Sequence, residues 1–193
     1  SQDAPDRNSV AGAVWVAIWS RLPAEPLRLA TDLERAAAIK IKQPDDRDVV
    51  VVGMVLPWPG DKRDADLGGS AAFQARLAEQ SSDWKRLGAE YGGRLCVTGD
   101  FKQDLLLTGH YFHSHDSRIA LRATLNECGL RCLTGGRDDP LTAVPDLASI
   151  DHICIGRGLS CGDSPPFSVW PRPGTLAKNL SDHYGVWAVV ETA

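Results

Sequence analysis

Three short stretches of this 193-residue sequence place an aspartate at the end of an apolar run or beside a histidine. They are Gly-Asp-Phe at Asp100, Ile-Asp-His-Ile at Asp151, and Ser-Asp-His at Asp182 and His183. Carboxylates and an imidazole that meet in one cleft can hold a divalent ion, position a water molecule and stabilise charge on a phosphate. Each stretch alone also fits a turn, a solvent-facing strand or a helix cap. Together, and in this order, they predict one site at the edge of a β-sheet.

The elements that must position these residues are strands alternating with helices, which predicts an α/β fold. Residues 31–42 have capping-box spacing as well as strand alternation, and a strand from about residue 36 is favoured. A stripe from Phe73 to Tyr91 predicts a long helix, and Asp116 or Ser117 is expected to cap a second one that Gly129 ends. The other predicted strands cover residues 14–20, 49–56, 94–100, 149–156 and 184–191.

Composition sets the limits of function. With 43% hydrophobic and 24% charged residues, the chain fits one globular domain over residues 14–193, after a polar tail over residues 1–13. A net charge of −4 argues against whole-surface attraction for nucleic acid but leaves room for a local basic cleft. No apolar run approaches the roughly 18 residues of a membrane span.

The five cysteines lack the paired CxxC spacing of zinc sites and redox motifs. Cys96 and Cys154 lie inside apolar, strand-like runs. Buried thiols in a reducing compartment are therefore the expected state, and we expect a cytoplasmic protein.

In their order, GDF, IDHI and SDH resemble the endonuclease/exonuclease/phosphatase superfamily, whose fold is deoxyribonuclease I-like. The resemblance spans about residues 14–191, where VWVAIWSRLP is also similar to a family segment. It implies a layered β-sandwich flanked by helices. It also implies divalent-metal-dependent hydrolysis of a phosphate ester, with nucleic acid, nucleotide, phosphoinositide and sugar phosphate as candidate substrates.

The same resemblance implies a role for each matching residue. Asp100 corresponds to the aspartate that positions or deprotonates the attacking water and helps to hold the metal. Asp182 corresponds to a metal-site carboxylate. His183 corresponds to the histidine that contacts the phosphate, and Asp151 to the aspartate that orients that histidine. The implied cofactor is magnesium or manganese.

Lys102 is the first departure from the family pattern, because it stands where the family has the asparagine of GDFN. Three readings stay open. The lysine can pair with a phosphate as a point charge, fold back onto Asp100 and compete with a cation, or lie on the surface without a role. Because a nearby ammonium lowers the basicity of a carboxylate, we expect a weakened base at Asp100.

The second departure is that the family's first strands, with their metal-binding glutamate, have no counterpart in this sequence. A magnesium site built without that glutamate is expected to be weak or absent. The uncovered sheet surface predicts a homodimer, another homo-oligomer or a complementing chain. The alternative function is a catalytically impaired relative acting as a binding or assembly module. A third alternative is a plain interaction domain.

Substrate-binding candidates lie in two loops of the sequence. His113 belongs to the cluster GHYFHSH, which fits a substrate-facing loop, a solvated loop or a transition-metal site. Trp170 and Arg172 precede the SDH stretch, where an aromatic ring can stack on a base and a guanidinium can meet phosphate. Loops that carry tryptophan are also often simply packed down.

Overall fold

The computed structural model describes seven stretches, residues 15–44, 46–58, 67–106, 114–142, 147–162, 167–170 and 183–193. Within these stretches there are ten strands, two α-helices and one short 3₁₀ helix. In chain order they are β1 (Ala24–Leu27), β2 (Ala36–Ile41), β3 (Val49–Val55), α1 (Gly69–Glu90), β4 (Leu95–Asp100), α2 (His115–Glu127), β5 (Leu130–Cys132), the 3₁₀ helix (Gly136–Asp138), β6 (Asp151–Gly156), β7 (Leu159–Cys161), β8 (Phe167–Trp170), β9 (Gly185–Ala188) and β10 (Val190–Thr192).

A mixed six-stranded sheet, in the order β1-β2-β3-β4-β6-β5, forms the centre of the fold. Its one parallel pair is β3 and β4, which α1 connects, and the other neighbouring strands are antiparallel. The unbroken valine run of β3 suits a strand that is covered on both faces. The sequence of α1 contains no β-branched residue, which favours a helix of this length.

Both helices cover one face of the six-stranded sheet, which we call the helix face. Strand alternation turns Val50 and Val52 of β3 toward this face, where they join Trp84 of α1 and Leu121 of α2 in the main core. All four side chains are buried. This core fixes the position of the two strand ends that carry the predicted site.

The opposite face of the sheet, the ribbon face, carries two short two-stranded ribbons, β7 with β10 and β8 with β9. Ile153 and Ile155 of β6 pack there against residues of the ribbons. This layered α/β arrangement confirms the predicted fold class. Tryptophans remain exposed among the described residues, including Trp19 at 87% and Trp187 at 42%. Coverage of apolar surface by another chain stays a prediction.

Several predicted elements are wrong in detail. No strand forms over residues 15–20, the described part of the first predicted strand. Its alternating apolar residues instead pack over Gly53 of β3 without pairing as a strand. Val16 and Ile18 lie so close that a Cβ added to Gly53 would be 2.7 Å from Val16 Cγ1 and 3.3 Å from Ile18 Cγ1. The strand predicted over 184–191 is two strands with different partners, β9 with β8 and β10 with β7.

The cap of α2 also differs from the prediction. Ser114 is the N-cap, and its side chain accepts a hydrogen bond from the backbone N–H of Ser117. Asp116 lies in the first turn instead, where a carboxylate interacts favourably with the helix dipole. Neither helix that the structure describes combines the length and hydropathy that crossing a membrane would require.

Candidate functional site

Strand β4 ends by presenting Asp100 between two residues that fix the local backbone. Gly99 has φ of 141°, and a Cβ at this position would lie 1.9 Å from the carbonyl oxygen of Met54. Only glycine fits there. Phe101 is fully buried, and its N–H donates to the Ile150 carbonyl at 2.9 Å. The Gly-Asp-Phe stretch therefore holds one carboxylate between a backbone contact and an aromatic anchor.

Strand pairing places a second carboxylate beside the first. Asp100 at the end of β4 is the direct partner of Asp151 at the start of β6. Directly opposed residues of antiparallel strands point to the same face of the sheet. Ile153, two residues after Asp151, packs on the ribbon face, so both carboxylates lie on that face.

His183 completes the group from the segment that leads into β9. Its Nδ1 donates to Oδ2 of Asp151 at 2.8 Å. This hydrogen bond raises the pKa of His183, against the opposing effect of burial. Ligand atoms of Asp100, Asp151 and His183 all lie within 4.8 Å of one another. The carboxylate of Asp151 thus holds the ring in one tautomer, with its proton on Nδ1 in the neutral form.

Lys102 folds back onto Asp100, which is one of the three readings left open by the sequence. Its backbone N–H donates to Oδ1 of Asp100 at 3.0 Å, and its ammonium forms an ion pair with Oδ2. One residue therefore engages both oxygens of this carboxylate. Lys102 also has φ of 54°, in the left-handed region where asparagine is far better tolerated than lysine.

The expected weakening of Asp100 as a base is wrong in its net direction. Burial raises the pKa of Asp100 and the negative charge of Asp151 adds to the rise, while Lys102 opposes both. The side chain of Asp100 is only 15% exposed, so desolvation of the charged form exceeds the effect of one ammonium. Asp100 is therefore a stronger base than a solvated aspartate.

The donor set fits a hard divalent ion only in part. Carboxylate oxygens suit magnesium, and Asp100 and Asp151 supply them side by side. However, Lys102 already neutralises Asp100, and the Nδ1 of His183 is already bonded to Asp151. Two carboxylates, one ammonium and an imidazolium would leave the group uncharged. A metal that binds through Asp100 must therefore displace the ammonium of Lys102.

The remaining candidates from the sequence are placed as follows. Trp170 ends β8, is 64% exposed and pairs with Gly185, two residues after His183. It therefore lies on the strand pair that enters the site. His113, Arg172 and Asp182 fall outside the residues that the structure describes.

Sequence reasoning missed two residues beside the site. Tyr184 lines a cavity of about 50 Å³ together with Asp151 and His183. Asp139 is buried and accepts three hydrogen bonds of 2.8 Å, from Leu141 N–H and from the N–H and Oγ of Ser149. Because Ser149 lies two residues before Asp151, this carboxylate fixes the start of β6. Asp139 directly follows Asp138 at the end of the 3₁₀ helix, and only its burial in the structure distinguishes it from that exposed neighbour.

His152 is next to Asp151 in sequence but points to the helix face. Its Nδ1 lies 3.1 Å from the Thr134 carbonyl oxygen and its Nε2 lies 2.9 Å from that of Gln103. The ring packs edge-on against Phe101 at 5.5 Å. This histidine therefore belongs to the core and ties the loop of Lys102 to β6.

Comparison with solved structures agrees with this fold. The endonuclease domain of TRAS1, a telomere-specific non-LTR retrotransposon, matches with a TM-score of 0.50 and 17% identity, over 88% of this chain and 66% of that domain. The endonuclease/exonuclease/phosphatase protein of Beutenbergia cavernae DSM 12333 matches with a TM-score of 0.51 and 16% identity, over 87% of this chain and 43% of that one.

These matches confirm the fold that the three motifs predict, which is that of the endonuclease/exonuclease/phosphatase structures. At these identities the likeness establishes the fold alone. The chain spans less than two thirds of the length of either structure. No protein-family model matches the sequence, and a search of curated proteins found no match to it.

Proposed function

We propose that this protein is a divalent-metal-dependent hydrolase of phosphate esters, acting on phosphodiesters as a nuclease. One observation carries the proposal: Asp100, Asp151 and His183 converge within 4.8 Å at the end of two neighbouring strands. The fold supports it, because both matched structures are named as endonucleases or phosphatases. Nucleic acid is the proposed substrate, after the endonuclease domain among these matches.

Each residue has a task that its surroundings support. Asp100, with its raised pKa, accepts a proton from the attacking water. His183, protonated more readily because of Asp151, contacts the phosphate oxygens and stabilises their developing charge. Asp151 orients the imidazole. Exposed Trp170 offers a face on which a base can stack.

The proposed metal ligands are Asp100 and Asp182. A bound magnesium or manganese ion would supply positive charge to the phosphate oxygens and polarise them. The carboxylate oxygens suit these ions, but the hold of Lys102 on Asp100 makes weak binding the expectation.

The test is hydrolysis of bis(p-nitrophenyl) phosphate and of a DNA oligonucleotide, with magnesium, with manganese and with a chelator. Asp151→Asn and His183→Ala should each reduce turnover by about 10²-fold or more, the contribution typical of a positioned acid or base. The matched control is Asp138→Asn, because this aspartate is exposed and remote in sequence from the motifs. Turnover that survives both site substitutions would refute the proposal.

A second candidate, a catalytically impaired relative that binds phosphate ligands, is favoured by one observation. The ammonium of Lys102 forms an ion pair with Asp100, one of the two proposed metal ligands. This candidate predicts saturable DNA binding without turnover, and binding weakened by His183→Ala. Turnover above the level of the Asp151→Asn variant would eliminate it.

Two further statements stay predictions. Exposed tryptophans such as Trp19 and Trp187 support a homo-oligomer or a complementing chain. The cytoplasmic location rests on the free cysteines alone.

A further inference from the structure

We propose that Cys132 and Cys154 form a reversible disulfide when a hydroperoxide oxidises the protein. The two residues are 22 positions apart in the sequence, and only the pairing of β5 with β6 brings them together. The site lies on the helix face of the sheet, opposite Asp100 and Asp151. The proposal is therefore independent of phosphate ester hydrolysis.

The register places the two cysteines directly opposite each other. Cys132 of β5 and Cys154 of β6 are paired residues. The adjacent bond from Leu133 N–H to the Ile153 carbonyl, at 2.8 Å, identifies theirs as a non-hydrogen-bonded pair. In such a pair the Cα atoms are about 4.5 Å apart and the side chains lie close. This separation falls inside the range of about 4.4–6.8 Å that a disulfide spans.

Both cysteines are free thiols, and their surroundings give them different reactivity. The neighbouring Cys154 thiol holds the pKa of Cys132 well below its usual value, and the nearby His152 adds to this, against burial. Cys154 is fully buried, and burial raises its pKa. Cys132 is the only one of the two that is partly exposed and lines a cavity, so Cys132 is the attacking residue and the fully buried Cys154 is the resolving one.

An opening reaches Cys132 from the surface. The thiol lines a cavity of about 430 Å³ between α2 and β5, together with Arg122, Asn126 and Gly135. A Cβ on Gly135 would lie 3.0 Å from the sulfur of Cys132, so a larger residue there would narrow this access. A small polar oxidant therefore has a path to one sulfur of the pair.

The chemistry balances with the hydroperoxide as the only oxidant. The Cys132 thiolate attacks the terminal peroxide oxygen, the O–O bond breaks, and sulfenic acid forms with release of alcohol, or of water from hydrogen peroxide. Cys154 then attacks the sulfenic sulfur, an S–S bond forms, and water leaves. Two thiols are oxidised, one peroxide is reduced, and a dithiol reductant reverses the reaction by exchange.

The test is titration of the reduced protein with hydrogen peroxide, followed by alkylation under denaturing conditions and peptide mass mapping. We expect the loss of two hydrogens, one linked peptide pair containing residues 132 and 154, and full recovery of thiols with dithiothreitol. In Cys154→Ser, the sulfenic acid should persist on Cys132 and react with dimedone.

Cys128→Ser is the matched control, because burial raises the pKa of this half-buried thiol to about 11. This variant should form the bond as the wild-type protein does. Three results would overturn the proposal: five free thiols after a dose that oxidises a cysteine reference peptide, a bond between other cysteines, or overoxidation of Cys132 without a bond. The wild-type measurement decides between these results even where a variant fails to fold.

Discussion

Replacing Lys102 by asparagine is the change that most directly tests the candidate site. The ammonium forms an ion pair with Asp100, and the two side chains are only 21% and 15% exposed. A divalent ion that uses Asp100 must first release this ammonium. Lys102→Asn removes the competing cation, introduces the asparagine of the GDFN motif that this stretch resembles, and leaves the carboxylate in place.

The expected gain in metal affinity follows from the strength of the broken contact. A hydrogen bond to a charged group contributes about 1.5–3 kcal/mol net. At about 1.4 kcal/mol for each factor of ten, releasing Lys102 weakens metal binding by roughly 10-fold to 100-fold. Lys102→Asn should therefore bind manganese about 10-fold to 100-fold more tightly than the wild-type protein.

Stability should fall only modestly, because two effects oppose each other. The variant loses the contact of about 1.5–3 kcal/mol, but it gains about 1 kcal/mol where lysine is strained at φ of 54° and asparagine is not. The net loss is about 0.5–2 kcal/mol, and for a chain of this length 1 kcal/mol corresponds to about 2–4 °C in Tm. Tm should therefore fall by about 1–8 °C, and affinity is compared well below the Tm of both proteins.

Isothermal titration with manganese and magnesium measures the effect. Lys42→Asn is the matched control, because Lys42 is a half-exposed lysine that forms its own ion pair with Asp48 at 3.1 Å. It should leave affinity unchanged. Equal or weaker metal affinity in a folded Lys102→Asn protein would refute the view that the lysine blocks the cation position.

The same variant has a pH signature if the protein turns over. Lys102 favours the charged form of Asp100 and so opposes the rise in pKa caused by burial. Without the lysine, the pKa of Asp100 should rise further, and the acidic limb of the rate profile should move to higher pH. A limb that stays in place, or moves to lower pH, would show that Asp100 is not the group that titrates.

Three other predictions concern stability and assembly. Asp151 raises the pKa of His183 in the folded protein, so their contact stabilises the fold below the ordinary histidine pKa and is lost as pH rises through the raised pKa. In denaturant titrations, Asp151→Asn should therefore lose more stability at acidic pH than at alkaline pH. An equal loss at both pH values would contradict this. Asp139→Asn turns an amide donor toward donors of Ser149 and should cost about 1–3 kcal/mol in urea unfolding, whereas exposed Asp138→Asn should cost almost nothing. Sedimentation at micromolar concentration should show more than a monomer, and a clean monomer would contradict the predicted covering chain.

The elements that could be predicted from the sequence are those with a long, consistent period. The valine run of β3 and the long amphipathic pattern of α1 each predict their element directly. Strands β4 and β6 are marked by the GDF and IDHI motifs. The missed strands β1, β5, β7 and β8 have three or four residues each, and their pairing comes from tertiary contact rather than from local pattern.

In the candidate site, too, local sequence pattern predicts some features, and tertiary structure determines the others. Asp100 and Asp151 could be predicted because each follows or begins an apolar strand, but their direct opposition depends on a register that local sequence does not encode. The orientation of Lys102 depends on a left-handed backbone that no lysine pattern signals. The pairing of Cys132 with Cys154 also depends on strand register, so their spacing in the sequence does not predict it.

The charges of the site show why Lys102 decides between the two proposed functions. Among the site residues that the structure describes, Asp100 and Asp151 contribute two negative charges, which Lys102 and a protonated His183 balance. A phosphodiester entering this neutral group brings a negative charge that a further cation, or a released lysine, must meet. If Lys102 turns to the phosphate as a point charge, Lys102→Asn should lose substrate affinity and gain no metal affinity. If it blocks the cation position, the same variant should gain both metal affinity and turnover. The two accounts therefore predict changes of opposite sign from one substitution.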